Sequence, residues 1–225
     1  MVFSMFYASM VAKVVFSIVC RLINLNHPAI LILLESIYPI RCSKSKANNM
    51  GKLFFPAKPA PDEYDEYYKN YIDRMGDSNP LKCLNSDFIE QIELLDHSPG
   101  LDLDYAYDHG KWTLRQLIVH LVDCERVMSW RLLAAARNDP NSYPGYDYEW
   151  YAKNTIDDAR KWVELRGEWK SVRKAVVAFT ETLDEEQWRQ FCTIDGKKLS
   201  ARAILYIITG HVRTHFVTIQ NKYLP

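Results

Sequence analysis

Four stretches of this chain carry apolar residues at intervals of three and four, and this pattern restricts the fold more than any other feature of the sequence. Phe88, Ile92 and Leu95 share one face of a helix predicted from about Pro80 to Asp96. Leu114, Leu117, Ile118, Leu121, Val122 and Met128 form the stripe of a second, from Thr113 to about Asn138. Trp162, Leu165, Trp169, Val172, Val176 and Phe179 mark a third, from about Asp157 to Leu183, and a fourth runs from Ser200 to about Tyr223. An amphipathic stripe is stable only when buried against another element. Four such stripes with modest connections predict an all-α chain folded as a four-helix bundle.

Local signals support the boundaries. Asn79 before Pro80 reads as an N-cap followed by proline at the first helical position. Thr113 and Gln116 have the spacing of a capping box, with Trp112 and Leu117 placed as a hydrophobic staple. Asp139-Pro140 ends the second helix. Asp62–Met75 is acidic and tyrosine-rich and is predicted to be a short N-terminal helix lying on the bundle. Residues 141–150, NSYPGYDYEW, read as a loop, and Asp195-Gly196 is the turn signal of one small hairpin.

Residues 1–49 differ from the rest. They hold five basic residues (Lys13, Arg21, Arg41, Lys44, Lys46) and one acid, Glu35. Their apolar stretches, Val14–Cys20 and Ala29–Leu34, are short of the roughly 20 residues that span a bilayer. Three readings stand for this leader: upstream sequence ahead of a start at Met50, a targeting segment, or a membrane-surface segment. No core stripe requires it, so it is expected to be dispensable for the folding of the domain at 50–225.

Charge narrows the partners. The 28 basic and 28 acidic residues balance, which gives no electrostatic footprint for nucleic acid. No membrane association is expected for 50–225. The five cysteines form no CxxC pair and are odd in number, which argues against a disulfide framework and for a reducing, cytoplasmic setting.

Three histidines carry the chemistry. His211 and His215 stand at i and i+4 on the fourth helix, so their imidazoles share a face. His120 lies within the apolar stripe of the second helix. If the two helices pack together, all three meet inside the bundle. Spacing alone leaves two readings: ligands of one divalent ion, or hydrogen-bonded core histidines. Cys124, four residues past His120, is a candidate fourth ligand or a small buried packing residue. Asp123, Glu125 and Arg126 follow His120. Either acid is placed to orient a ligand histidine, or to serve in a solvated face or interhelical ion pair. Tyr146, Tyr148 and Trp150 either line a pocket mouth or pack on the body.

The stretches Gly110–Val127 (GKWTLRQLIVHLVDCERV), Ala136–Asp147 (ARNDPNSYPGYD) and Leu199–Leu224 (LSARAILYIITGHVRTHFVTIQNKYL) resemble, in order and spacing, the second helix, the following loop and the last helix of the DinB/YfiT-like superfamily. The resemblance runs from about Lys58 to the C-terminus. It implies an up-down-down-up bundle holding one divalent metal, nickel or zinc, through His120, His211 and His215. One departure is visible: where relatives often read GHERHH, this chain has Val212 and Thr214, so an outer contact to the site is lost. The family resemblance further implies an enzyme in which the ion activates a low-molecular-weight thiol for transfer to an electrophile. The alternatives are a metal-dependent hydrolase and a non-catalytic metal-binding stress-response module. A small-molecule thiol and an electrophile are the expected partners, and a homodimer is compatible with the family.

Overall fold

The computed structural model describes residues 56–155 and 159–224. The chain divides into two compact units, Met1–Gly51 and Lys52–Pro225, and all described residues belong to the second. The expectations for residues 1–49 lie outside them.

The segment expected as one helix over 62–75 is broken. Two 3-10 turns, Pro61–Glu63 and Glu66–Tyr68, precede a short helix α1, Lys69–Arg74. The break has a local cause: Asp65 is extended, and its carboxylate accepts the Tyr67 amide at 3.0 Å, closing a turn in place of a helical repeat. The first bundle helix, α2, spans Pro80–Asp96, with the Asn79 side chain accepting from Lys82 N at 3.2 Å. The second, α3, spans Leu114–Ala136. Its capping box is closed in both directions, Gln116 N to Thr113 Oγ1 at 3.2 Å and Thr113 N to Gln116 Oε1 at 2.9 Å.

Between bundle helices the chain forms strand β1, Ser142–Tyr143, and helix α4, Tyr148–Lys153, where the sequence reads as a loop. Asp147 caps α4 by accepting the Trp150 amide at 3.0 Å, a signal present in the sequence but hidden by the aromatic run around it. The third bundle helix, α5, spans Trp162–Thr180, shorter than expected at both ends. Its C-terminus stops where the hydroxyls of Thr180 and Thr182 each bond a carbonyl of the last turn at 2.7 Å. A short helix α6, Glu185–Trp188, leads into strands β2, Phe191–Ile194, and β3, Lys197–Ser200. Asp195 (φ 50°) and Gly196 (φ 72°) form the turn between them, both left-handed as a two-residue hairpin requires. β1 adds to β2 in parallel, so the expected hairpin is part of a three-stranded sheet. The last helix, α7, spans Ala201–Lys222, with Ser200 Oγ accepting Ala203 N at 3.1 Å.

In the bundle, α3 packs on α5 and α7, and α2 packs on α5 and α7. Consecutive helices α2 and α3 therefore stand on a diagonal. Side-chain contacts give the directions. Tyr223 at the end of α7 donates to Trp112 O at the start of α3, so these two are antiparallel. Arg115 near the start of α3 donates to Arg160 O just before α5, so α3 and α5 are parallel. Trp162 at the start of α5 donates to Asp96 at the end of α2 at 2.6 Å, so these are antiparallel. The order is up, down, down, up. The parallel α3–α5 step forces the long connection that holds β1 and α4.

Two apolar clusters fill the interior. One contains Leu132, Val176, Trp188 and Ile204 with Ile72 and Met75; the other contains Leu95, Ile118, Leu121, Leu165 and Trp169 with Ile219. α1 lies against α7 in a close backbone approach at Gly210.

Candidate metal centre

His120 is the seventh residue of α3, and His211 and His215 stand one turn apart on α7. Because α3 and α7 are antiparallel neighbours, the three rings converge between them. His120 Nε2 lies 3.1 Å from His211 Nε2, and His215 Nε2 lies 3.1 Å from the same atom. One nitrogen from each ring falls within 4.8 Å of the others, and this is the cluster of possible metal ligands found among the described residues. Nitrogens each about 2.05 Å from one ion sit roughly 2.9 Å apart at right angles and roughly 3.3 Å apart at the tetrahedral angle. The two separations from His211 Nε2, 3.1 Å each, fall between these values.

The electrostatics agree. Burial pushes His120 down to about 3, with the neighbouring His215 adding to it, and burial pushes His215 down to about 4. His211 is lowered well below the ordinary histidine range by burial and by the other two rings. All three are neutral near pH 7. A neutral imidazole has one nitrogen lone pair to donate, and in the tautomer that leaves Nε2 unprotonated the three rings offer three such donors to one point. The donor set therefore fits a divalent cation.

Aromatic rings fix the histidines in place. Trp112 lies 4.9 Å from His120, Tyr148 meets His120 edge-on at 5.9 Å, and Tyr71 of α1 meets His211 edge-on at 5.1 Å. The three histidines form one wall of a cavity of about 720 Å³. Tyr146 and Tyr148 also line it, whereas Trp150 is 63% exposed and stands outside.

The residues after His120 have other partners. Glu125 faces away from the histidines into the α3–α5 interface. It receives Arg173 Nε at 2.6 Å, Arg173 Nη2 at 2.8 Å and Trp169 Nε1 at 3.0 Å. Arg173 also donates to Leu84 O at 2.7 Å and lies over the Phe88 ring. Glu125 thus takes the interhelical ion-pair reading, because residues five apart on a helix point in different directions. Asp123 pairs with Arg126 at 3.4 Å, and Arg126 reaches Glu168 at 2.5 Å, forming a partly exposed network. Cys124 does line the cavity and burial pushes its thiol up, but its sulfur is not among the clustered ligand atoms. Val212 is buried in the apolar core, and the Thr214 hydroxyl bonds its own helix at Gly210 O.

Sequence reasoning missed Tyr71, Trp112 and Arg131. Tyr71 lies on a segment whose docking no local pattern reports. Arg131 had a usable signal: it stands eleven residues after His120 and so returns to the same helix face.

Bundle order, helix directions and a buried three-histidine cluster define an all-α protein with a site able to hold a divalent metal. The sequence model of the DinB superfamily matches residues 90–219, more than half of the chain, and the chain belongs to that superfamily. A candidate metal-dependent hydrolase of Oceanobacillus iheyensis is 27% identical over 106 residues, 46% of this chain and 52% of the relative, so the chain matches about half the length of that relative. Bacillus subtilis YfiT, described as a metal-dependent hydrolase candidate with an unusual four-helix bundle topology, superposes with a TM-score of 0.55. It is 16% identical, with 73% of this chain and 90% of that chain covered, which shows a shared fold. A second DinB-like protein of B. subtilis superposes with a TM-score of 0.44 at 17% identity, covering 65% of this chain and 95% of its own. No helix among the described residues is long and apolar enough to cross a membrane.

Proposed function

We propose that this protein is a metal-dependent enzyme that binds one divalent ion through His120, His211 and His215 and uses it to activate a low-molecular-weight thiol for transfer to a small electrophile. The observation that carries the reading is the placement of three neutral imidazoles on the wall of a cavity large enough for a small molecule. Three protein ligands leave a position for an exogenous one, as at catalytic rather than closed structural sites. When bound, the ion supplies a positive charge that lowers the pKa of a thiol or a water molecule beside it. The chain's own residues orient the imidazoles through Trp112, Tyr71 and Tyr148 and surround the position with aromatic surface.

Thiol chemistry is preferred over hydrolysis because the acids nearest to His120 in sequence pair with arginines, Glu125 with Arg173 and Asp123 with Arg126. Those on the cavity wall have partners as well, Asp65 in Lys197, Asp147 in the Trp150 amide and Asp195 in the Gly145 amide. A thiol needs no general base once its pKa falls below neutrality, whereas a hydrolytic water commonly uses one. Hydrolysis is the second reading, favoured by the descriptions of the O. iheyensis relative and of YfiT.

Cobalt substitution separates the two. Titration of the cobalt protein with glutathione and bacillithiol at neutral pH is expected to produce thiolate charge-transfer absorption. A spectral response to carboxylate or phosphate compounds but to neither thiol would transfer the assignment to hydrolysis. No response to either class would indicate a closed structural ion.

A further inference from the structure

The α3 face that carries His120 continues along the same cavity through Cys124, Met128 and Arg131. Arg131 is three turns from His120, roughly 16 Å along the helix axis, and only 3% exposed. Its Nη1 meets the Tyr68 hydroxyl at 3.2 Å and Met128 Sδ at 3.9 Å. Its Nε and Nη2 have no hydrogen-bond partner, and no carboxylate pairs with it, among the described residues.

This is an unusual state for a guanidinium, which is always charged and costly to bury without a counter-charge. The other buried arginine of the bundle shows the ordinary solution: Arg173 forks onto Glu125 and donates its remaining arm to a carbonyl. The lysines on the cavity wall are exposed and placed otherwise. Lys197 pairs with Asp65 at 2.5 Å, and Lys198 lies 5.9 Å from the Phe191 ring centroid. A second group in the same cavity is also unmatched. The Tyr146 hydroxyl is buried and has no hydrogen-bond partner, and it feels the charge of Arg131. Burial pushes that hydroxyl far up, so it remains a donor.

We propose that Arg131, with the Tyr146 hydroxyl, is the binding site for a carboxylate of an elongated substrate whose other end lies at the three histidines. The proposal rests on the reading of this cavity as the active site and adds the class of molecule that it takes. The planar guanidinium fork matches a carboxylate in two parallel hydrogen bonds. Asp65, Asp147 and Asp195 also line the cavity, and they disfavour a dianionic phosphoryl group more than a singly charged carboxylate. The separation of Arg131 from His120 requires an extended molecule and leaves its reactive end free.

The test uses the purified full-length protein, its metal content measured, and S-methylglutathione, an extended peptide with two carboxylates and no free thiol. Calorimetric titration is expected to show binding to the wild type. Arg131→Gln should weaken it about tenfold or more, Arg131→Lys less so, and Tyr146→Phe a few-fold. The diethyl ester should bind the wild type and Arg131→Gln equally weakly. Metal content should be the same in every variant. If Arg131→Gln fails to melt cooperatively, the Arg131→Lys and ester comparisons carry the same decision. Equal binding to the wild type and the Arg131 variants, or no binding to the wild type, overturns the proposal. Arg131-dependent binding of inorganic phosphate or O-phosphoserine in place of the peptide overturns the carboxylate assignment. Arg131-dependent peptide binding by protein that takes up no metal leaves this proposal standing and removes the metal reading instead.

Discussion

Gly210 of α7 passes so close to Tyr71 of α1 that a side chain at Gly210 would run into the Tyr71 carbonyl oxygen, with the carbonyl carbon 2.7 Å from the new Cβ. The obstacle is backbone and cannot rotate away. The next residue in α7 is His211, and the Tyr71 ring rests on it. In an exposed helix, Gly→Ala stabilises by about 1 kcal/mol. Here Gly210→Ala is expected to destabilise by roughly 1–3 kcal/mol as an overpacking change and to lower metal affinity by displacing α1 from His211. Thermal melts with and without added metal measure both. A stabilised variant with unchanged metal content would show that α1 docks otherwise.

The histidine triad makes a direct prediction. The purified protein is expected to carry about one equivalent of divalent metal, and His120→Ala, His211→Ala or His215→Ala should each reduce occupancy sharply. Elemental analysis is the measurement. Full occupancy in the His211→Ala/His215→Ala double variant would sink the assignment.

Glu125 and Arg173 are predicted to support the bundle and not the metal. Both side chains are almost completely buried, and removing either leaves the other charge unpaired. Arg173→Met should cost about 3–5 kcal/mol while the folded fraction keeps its metal. Denaturant titration beside elemental analysis checks this. Loss of metal at unchanged stability would instead place Glu125 among the groups that orient a ligand histidine.

Acid should release the lead-in segment. Burial by itself would raise the Glu63 carboxyl, but Arg202, the Ser200 hydroxyl at 2.7 Å and the Ala60 amide at 3.1 Å together hold it below its ordinary value. A carboxyl with a depressed folded pKa contributes stability above its unfolded pKa of about 4.3, and that stability fades as pH falls through the lower folded value. Wild type should therefore lose stability below about pH 4.5 more steeply than Glu63→Gln, whose stability is already reduced at neutral pH. Melting temperature against pH for the two proteins reads the difference, and parallel curves would remove Glu63 from the account.

Much of the fold was legible from periodicity and caps, because both are local. Thr113 with Gln116, Asn79 before Pro80, and Asp195-Gly196 each specify a boundary through hydrogen bonds or dihedrals within a few residues. Where two local signals competed, the reading failed. The aromatic residues over 141–150 concealed the Asp147 cap of α4, and the Asp65 turn interrupted the segment expected as one helix over 62–75.

The candidate site divides in the same way. The i, i+4 spacing of His211 and His215 puts them together on any α-helix, and the stripe around His120 turns it inward, so the convergence of the three histidines was readable from the chain. The fate of the neighbouring charges was not. Glu125 and Arg131 stand six residues apart on one helix and are both buried, yet one is neutralised by Arg173 from α5 while the other faces the cavity with its fork uncommitted. Periodicity reports which residues leave water, since that depends on the helix's own geometry. Which group each one meets there depends on the register of a different helix packed against it, and only the tertiary structure decides that.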